Sequence, residues 1–285
     1  MAMSLPANSI SLRILESAAE LAALEDLQRL TWPGSETEIV PLHLLRAAVH
    51  AGGLSIGAFD GNRLVGFVFG FVGAYLTPDG PRLKHHSHML AVHPDYRNQG
   101  LGFKLKRAQW QMVRRQGIDL ITWTYDPLQS RNAHLNIARL GAVCNTYLRD
   151  FYGQMRDGLN EGLPSDRFQV DWWVYSRRVN RRLSRRSRKL LSLGDFTSAE
   201  TPLIHPLQSS ILLDAPSSPL LLVEIPDDIA ALKAAAPAAA LDWRMRTRLV
   251  FETLFAQGYL VTDFVHQPGD SPRSFYVLTH GEVTL

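Results

Sequence analysis

Residues His85 to Arg107, HHSHMLAVHPDYRNQGLGFKLKR, hold the side chains and the turn best placed to do chemistry. His86 and His88 stand two apart in a strand-like run, so alternation puts them on one face, the face of Leu90. Imidazole titrates near neutral pH, so either can take a proton directly or through water. The plainer reading of His85, His86 and His88 is a solvated strand end or a set of hydrogen-bonded structural histidines. Three clustered histidines also raise a metal site, but no carboxylate or cysteine lies at ligand spacing, and no metal is expected. Further on, Arg97-Asn98-Gln99-Gly100-Leu101-Gly102 precedes a helical pattern from Phe103 to Gln116. The first N–H groups of a helix lack intrahelical partners, and glycines let a ligand approach the backbone. A strand, a glycine-bearing turn and a helix start therefore make an anion site. A tight turn that merely needs small residues would read the same way. The spacing fits neither G-x-G-x-x-G nor G-x-x-x-x-G-K-[ST].

The elements around this stretch follow from periodicity and punctuation. His88 to Val92 reads as a strand ended by His93-Pro94-Asp95. Before it come an edge strand (Ser11 to Leu15), a helix (Ser17 to Leu30) stopped by Trp32-Pro33-Gly34, and a helix (Pro41 to His50) followed by Gly52-Gly53. Leu54 to Phe59 and Leu64 to Val72 are strands joined by Asp60-Gly61-Asn62, a hairpin signal. The second is apolar on both faces and should be central. Gly66, Gly70 and Gly73 in or beside it can admit another backbone or a ligand. Ile118 to Tyr125 is a further strand, after which Ser130 or Asn132 can cap a helix running to about Leu140 before Gly141. Ala142 to Phe151 and Phe168 to Tyr175 are strands flanking a loop rich in Gly, Asp and Asn. Ser176 to Leu191 is an arginine-rich helix, and Gly194 to Pro219 reads as a linker. A strand (Leu220 to Ile225), a helix (Asp242 to Gln257) and two strands (Tyr259 to Val265, Ser274 to Leu278) close the chain. Their order echoes residues 118 to 175, an internal repeat of order and not of residue identity.

Composition narrows the class. The 285 residues are 46% apolar and 20% charged, which is ordinary for a soluble protein with a large core. No stretch approaches the roughly 20 apolar residues of a membrane span, and no secretory signal pattern opens the chain. A single cysteine, Cys144, allows no intrachain disulfide and suits a cytoplasmic setting. In Ala142-Val143-Cys144 it reads as a small core residue. The formal charge is +3, but eight basic residues fall between Arg177 and Lys189, and removing eight from +3 leaves −5 for the rest. A uniformly nucleic-acid-coating protein is not expected.

Leu90-Ala91-Val92-His93-Pro94 and Arg97 to Gly102 match L-x-V-x-P and [QR]-x-x-G-x-[GA] in residues and spacing. The stretch resembles the acyl-CoA signature of the GNAT superfamily of N-acyltransferases, and the resemblance extends over about residues 10 to 176. It implies an α/β fold with a mixed, mostly antiparallel central sheet flanked by helices, here with a C-terminal α/β extension. It also implies that acetyl-CoA or another acyl-CoA is the co-substrate. By motif position, backbone N–H groups from Gln99 to Phe103 hold the diphosphate, with Arg97, Asn98 and Lys104 beside it. An N–H near Leu90, Ala91 or Val92 polarises the thioester carbonyl. Asn132 and Asn136 would touch the pantetheine or adenine end. His88 or His86 is the candidate base. The tyrosine that many members carry four residues before the glycine is missing, because Ile137 holds that place ahead of Gly141. Tyr147 or Tyr152 can substitute as acid, or the thiolate leaves and solvent protonates it.

Loop arginines Arg131, Arg149 and Arg167, with Asp126 and Asp166 close in sequence, suit a zwitterionic acceptor. The run from Asp126 to Val143, with Leu159 to Phe168, resembles a poorly characterised bacterial GNAT subgroup, some of whose relatives succinylate amino acids. The expectation is an N-acyltransferase moving acetyl or succinyl to a small amine, with an amino acid foremost. It has a catalytic domain at residues 1–176, a basic helix and linker at 177–219 and a small extension at 220–285. A homodimer is left open. One alternative is a non-catalytic acyl-CoA-binding regulator. Another is nucleic-acid binding through the arginine helix, against which the lack of interleaved aromatics counts.

Overall fold

The computed structural model describes residues 10–34, 36–155, 162–184, 190–208 and 218–281. By compactness the chain forms two units, one running to Thr122 and the other taking up the chain at Trp123. The division therefore falls within a strand.

The first unit contains strand β1 (Ser11–Ile14), helix α1 (Ala18–Thr31), helix α2 (Leu42–His50), β2 (Leu54–Asp60), β3 (Arg63–Thr77), β4 (Gly80–Val92), α3 (Leu101–Arg115) and the start of β5 (Leu120–Tyr125). Its strands lie in the order β1-β2-β3-β4-β5, antiparallel except for the β4–β5 pair. Ser17 caps α1 in a reciprocal box with Glu20. Leu21, Leu24, Leu27 and Leu45 of α1 and α2 pack on Phe67, Phe69 and Ala91 of the sheet. On the opposite face Leu101 and Leu105 of α3 close over Gly66.

β3 and β4 are both longer than hydrophobicity indicates, pairing out to Thr77↔Gly80. The exposed residues of this extension, Leu76 and Leu83 among them, carry no alternation that would mark it as strand. One irregularity interrupts the ladder. Phe69 faces Met89 while Gly70 faces Ser87, so His88 is an extra residue, a β-bulge. At Gly70 the partner strand comes very close, because an added Cβ would lie 2.3 Å from His85 Nε2 and 2.5 Å from the His86 carbonyl oxygen. Gly70→Ala is accordingly expected to cost about 1–3 kcal/mol through forced backbone displacement, measured by urea denaturation at neutral pH.

The second unit continues β5 and adds α4 (Ser130–Ala133), β6 (Val143–Leu148), β7 (Arg167–Trp173), α5 (Arg177–Leu183), α6 (Leu193–Thr197), β8 (Leu203–Ile204), β9 (Leu220–Ile225), α7 (Ile229–Ala235), α8 (Pro237–Ala256), β10 (Leu260–Gln267) and β11 (Arg273–Thr279). Its strands run β7-β6-β10-β11-β9-β8, again mostly antiparallel. Phe168, Phe251, Phe255 and Tyr276 pack ring against ring at its centre, with centroids 4.8 to 5.9 Å apart.

Several expected boundaries move. The helix after β5 is capped at Gln129, not at Ser130 or Asn132, and turns π-helical from His134 to Arg139. α8 begins at Pro237, because proline is well tolerated at a first helical position. The supposed linker contains α6 and β8. The arginine helix ends at Leu183, and Arg185, Arg186, Arg188 and Lys189 lie outside the described residues. Two of its arginines are internal. Arg182 is buried, pairs with Asp263 and donates to the Ala138 carbonyl, while Arg178 donates to the carbonyls of Gly141 and Thr262. With Trp172 Nε1 on Leu140, they satisfy the carbonyls at the end of the π-helix. These arginines hold a helix end, so they do not form the free cationic side that nucleic acid would need. Among the described residues no helix is long and apolar enough to cross a membrane.

Candidate active site

In the first unit the strand, turn and helix meet as the motif implies. Pro94–Tyr96 forms a short 3-10 turn, Asn98 has φ 63°, and Gly100 caps α3 with φ 73° and ψ 10°. The left-handed Gly100 reverses the chain so that α3 opens at Leu101, two residues before its apolar periodicity suggests. The first helical bond runs from Lys104 N–H to the Gly100 carbonyl. Helix geometry directs the N–H groups of Leu101 and Gly102 out of the helix end. Nothing lies within 4 Å of where a Cβ of Gly100 would be. Arg97, Asn98 and Gln99 are exposed around this opening, while Leu101 is buried beneath it. Arg97 Nε and Gln99 Nε2 donate to the carbonyls of Val92 and Asp95, at 3.4 and 3.1 Å, and shape the turn.

The bulge revises the face of the histidines. His86 packs on Phe71 at 5.2 Å between centroids, and His88 on Phe71 and Phe69 at 5.7 and 6.3 Å. Both therefore share a face with Met89 and Ala91, whereas Leu90, paired with Val68, points to the α3 side. One inserted residue reverses the alternation on which the expected Leu90 face depended. The N–H of His93 bonds the Val65 carbonyl, so ladder alternation turns the Ala91 N–H toward Phe67 and the Leu90 N–H toward the other edge of β4. Pairing of β4 with β5 is recorded at His85↔Ile121 and His86↔Thr122, and β4 runs on past it to Val92.

Burial governs the protonation of these groups. It pushes His86 down to about 4, helped by His88, Lys84 and Lys106, and it lowers His88 as well. His86 Nδ1 lies 3.4 Å from Thr122 Oγ1. His85 is fully buried on the opposite face and pushed down to about 3 by burial, then by Lys106 and His86. Behind β4 a buried network links it to α3: Gln109 Nε2 to His85 Nε2 at 3.1 Å, Ser87 Oγ to Gln109 Oε1 at 2.9 Å, and Lys106 Nζ to Ser87 Oγ at 2.9 Å. Burial holds the Lys106 amine well below its ordinary value. Both faces of β4 thus carry neutral histidines at pH 7. At His86 and His85 the unfolded chain binds protons near pH 6.5 that the folded chain refuses until about pH 4 or below. Unfolding free energy is therefore expected to be full above pH 6.5 and to fall as pH drops toward 4, each unit of depression being worth about 1.4 kcal/mol. His86→Gln should flatten that slope in urea titrations across the range.

The second unit divides the other candidates. Asp126 and Arg167 line one pocket, with Gln129, Ser165 and Lys233. Asp126 is fixed by Arg244 Nη2 at 2.5 Å and by the Leu128 N–H at 2.8 Å. Arg167 is buried, bonds the Asp166 carbonyl and lies 5.3 Å over the Tyr152 ring. Tyr152 is 44% exposed, with its hydroxyl 2.9 Å from Thr124 Oγ1 and its N–H on Ser165 Oγ, so it is the accessible one of the two candidate acids. Tyr147 donates to Asp166 at 2.7 Å, and burial first, then Asp166, pushes its hydroxyl far up, which unsuits it as an acid. Arg131 and Asn132 are exposed and outside the pocket, Asn136 is buried, and Arg149 is held by Glu252. Lys233, Arg244 and Arg248 are absent from the sequence expectations. The signal for the last two is the spacing of Arg244, Arg248 and Glu252 along one side of α8. Cys144 is buried and burial raises its thiol, as suits a core residue. Among the described residues no three His, Cys, Asp or Glu side chains gather to hold a metal.

Residues 21–141 match the acetyltransferase (GNAT) family. No curated protein matches the sequence. Solved structures with a similar chain path include Arabidopsis thaliana NAA60 in complex with acetyl-CoA, at 17% identity and TM-score 0.47, covering 58% of this chain and 99% of that one. Aminoglycoside 6'-acetyltransferase type Ii is 19% identical with TM-score 0.46, over 59% and 99% of the two chains. The ribosomal-protein-S18-alanine N-acetyltransferase from Escherichia coli is 15% identical with TM-score 0.44, over 58% and 94%. A strand ending in L-x-V-x-P, a left-handed glycine and an open helix start thus lie within residues 21–141, the segment that matches the GNAT acetyltransferase family.

Proposed function

We propose that the protein is an acyl-CoA-dependent N-acyltransferase that moves an acetyl or succinyl group to the amine of a small acceptor, an amino acid. The observation that carries this reading is the left-handed Gly100 opening the end of α3 inside a matched GNAT segment. Leu101 and Gly102 N–H groups suit the diphosphate, with Arg97 adding charge. The Leu90 N–H, turned away from β3, suits the thioester oxygen, and so does that of His88, since a bulge leaves its extra residue out of the ladder. The acceptor nitrogen attacks the carbonyl carbon, the C–S bond breaks, and CoA leaves as thiolate. His88 or His86, neutral at pH 7, receives the amine's proton directly or through water. Tyr152 or solvent protonates the thiolate. The pocket of Asp126 and Arg167 offers a fixed carboxylate for an ammonium and a guanidinium for a carboxylate, which supports an amino acid as acceptor.

The test is a thermal-shift series with CoA, acetyl-CoA and succinyl-CoA, followed by thiol release over the standard amino acids. A rise with at least one acyl-CoA and release with at least one amino acid are expected. Absence of any shift would remove the reading. A shift without release would leave a binding module in its place.

A further inference from the structure

The chain from β4 onward contains one order of elements twice over. In the chain from β4 to β7, a parallel pair is followed by helix, left-handed glycine and antiparallel hairpin. From β8 to β11 a parallel pair is again followed by helix, left-handed glycine and antiparallel hairpin, while α3, which lies between β4 and β5, has no counterpart among the described residues between β8 and β9. β8 pairs parallel with β9 at Leu203↔Leu222 and Ile204↔Val223, as β4 does with β5. Ile204-His205-Pro206 follows the form of Val92-His93-Pro94. Gly258, φ 88°, ends α8 as Gly141, φ 81°, ends the π-helix, and each stands at the same distance before its strand.

The hairpins agree in register. Thr146↔Gln169, Tyr147↔Phe168 and Leu148↔Arg167 correspond to Asp263↔Val277, Phe264↔Tyr276 and Val265↔Phe275. One extra residue bulges each first strand at the corresponding place, between Val143 and Thr146 and between Val261 and Asp263. The two first strands pair with each other at Cys144↔Val261, which are corresponding residues. A shared bulge and a self-paired position are not consequences of a generic α/β appendage. One feature is missing from the second block. No glycine occurs between Gly194 and Gly258, so the turn after Pro206 has no left-handed glycine to open a helix end.

α8 has acquired other work. Arg244, Arg248 and Glu252 follow one another at every fourth residue and engage two loops of the first block, the one after β5 and the one between β6 and β7. Arg244 holds Asp126, Arg248 forks onto Asp166 with two bonds of 2.8 Å, and Glu252 takes Arg149. Asp166 in turn bonds the Asp150 N–H at 2.9 Å, and it stands between the pocket residues Ser165 and Arg167. Ser165 Oγ accepts the Tyr152 N–H. Arg244 has no exposure, and its Nε and Nη1 find no partner among the described residues.

We propose that residues 193–281 are a second copy of the β4-to-β7 block that has lost acyl-CoA binding, and that its helix α8 holds the acceptor pocket in shape, with Arg244 and Arg248 as positioning residues. The second clause rests on the pocket being the acceptor's, as proposed above. Two consequences are testable on the full chain. Calorimetric titration with CoA should give one site per chain, lost in Gly100→Glu; two sites would overturn the degenerate copy.

For the pocket, Arg248→Met and Arg248→Lys are compared using the amino acid that releases thiol fastest from the wild type. Arg248→Met should raise the acceptor KM at least tenfold and leave CoA affinity within twofold. Arg248→Lys, which keeps the charge and loses the fork, should recover part of the KM. A purely structural role would lower CoA affinity and kcat together and show no KM split, and that outcome would overturn the positioning role. So would an acceptor KM unchanged in both variants. If Arg248→Met does not fold, the lysine variant decides alone, since an unshifted KM there with unshifted CoA affinity rejects the proposal. A wild type that binds CoA but acylates no amino acid rejects the acceptor reading and the positioning role with it, while the single-site stoichiometry still tests the copy.

Discussion

Gly100→Glu is expected to abolish the acyl-CoA-dependent rise in melting temperature and to reduce transfer by two orders of magnitude or more. Two effects act together. The residue sits at φ 73°, where a side chain costs about 1–2 kcal/mol in backbone strain. The larger effect is electrostatic, because a carboxylate placed beside Leu101 and Gly102 occupies the ground that a diphosphate needs and repels it. The space around Gly100 is open, so steric clash with the fold is not the cause. Gly100→Asn separates the terms, since asparagine tolerates the left-handed region and carries no charge. It should keep most of the binding. Equal loss in both variants, measured by thermal shift and by thiol release, would place the defect in the turn's conformation and not in anion recognition.

The second large effect is on stability. Asp166→Ala is expected to destabilise the second unit by about 3–5 kcal/mol at neutral pH, because it strands the Arg248 guanidinium, the Tyr147 hydroxyl and the Asp150 N–H around a fully buried position. Burial alone would raise the Asp166 carboxyl. The Arg248 fork, the Asp150 N–H and the Tyr147 hydroxyl outweigh it and hold the group below its ordinary value. A carboxylate depressed in the folded chain contributes fully above its unfolded value, about 3.9, and loses that contribution as pH falls through the folded value. The gap between wild type and variant in urea denaturation should therefore be constant from pH 7 to pH 5 and close below pH 4. Arg248→Met added to Asp166→Ala should recover part of the loss, since both ends of the pair are then gone.

Much of this was legible in the sequence where one local rule decided the outcome. Leu54 to Val72 formed its hairpin because Asp60-Gly61-Asn62 admits only a tight turn, and the Arg97–Gly102 turn followed from its glycines. The face of His86 and His88 was not legible. Their alternation is sound over a regular strand, but the extra residue at His88 is set by how β3 and β4 pair, and no local pattern encodes it. Two of the loop arginines differ for a related reason. Arg149 and Arg131 read alike in the chain, yet Arg149 is taken by Glu252, more than a hundred residues away. The same holds for the arginine run, where Arg178 and Arg182 turn inward onto helix-end carbonyls while their neighbours Arg177 and Arg181 stay exposed. The repeat was visible as an order of elements, but its strongest support, the matched bulges, exists only in the register.

The pairing of β6 with β10 bears on how the chain becomes folded. Cys144 and Val261 are 117 residues apart, so their contact closes one of the longest loops in the protein. Ladders of such high sequence separation form slowly, because the entropy of closure comes due before the contacts repay it. During synthesis the first unit can be complete while β6 still has an unpaired edge, and that edge waits until β10 has left the ribosome. A strand edge left open in this way is the point at which a nascent chain is most exposed to association with another. The hairpin β10–β11 is thus the step that ends the chain's vulnerable period, and lesions there should show first as lost soluble yield.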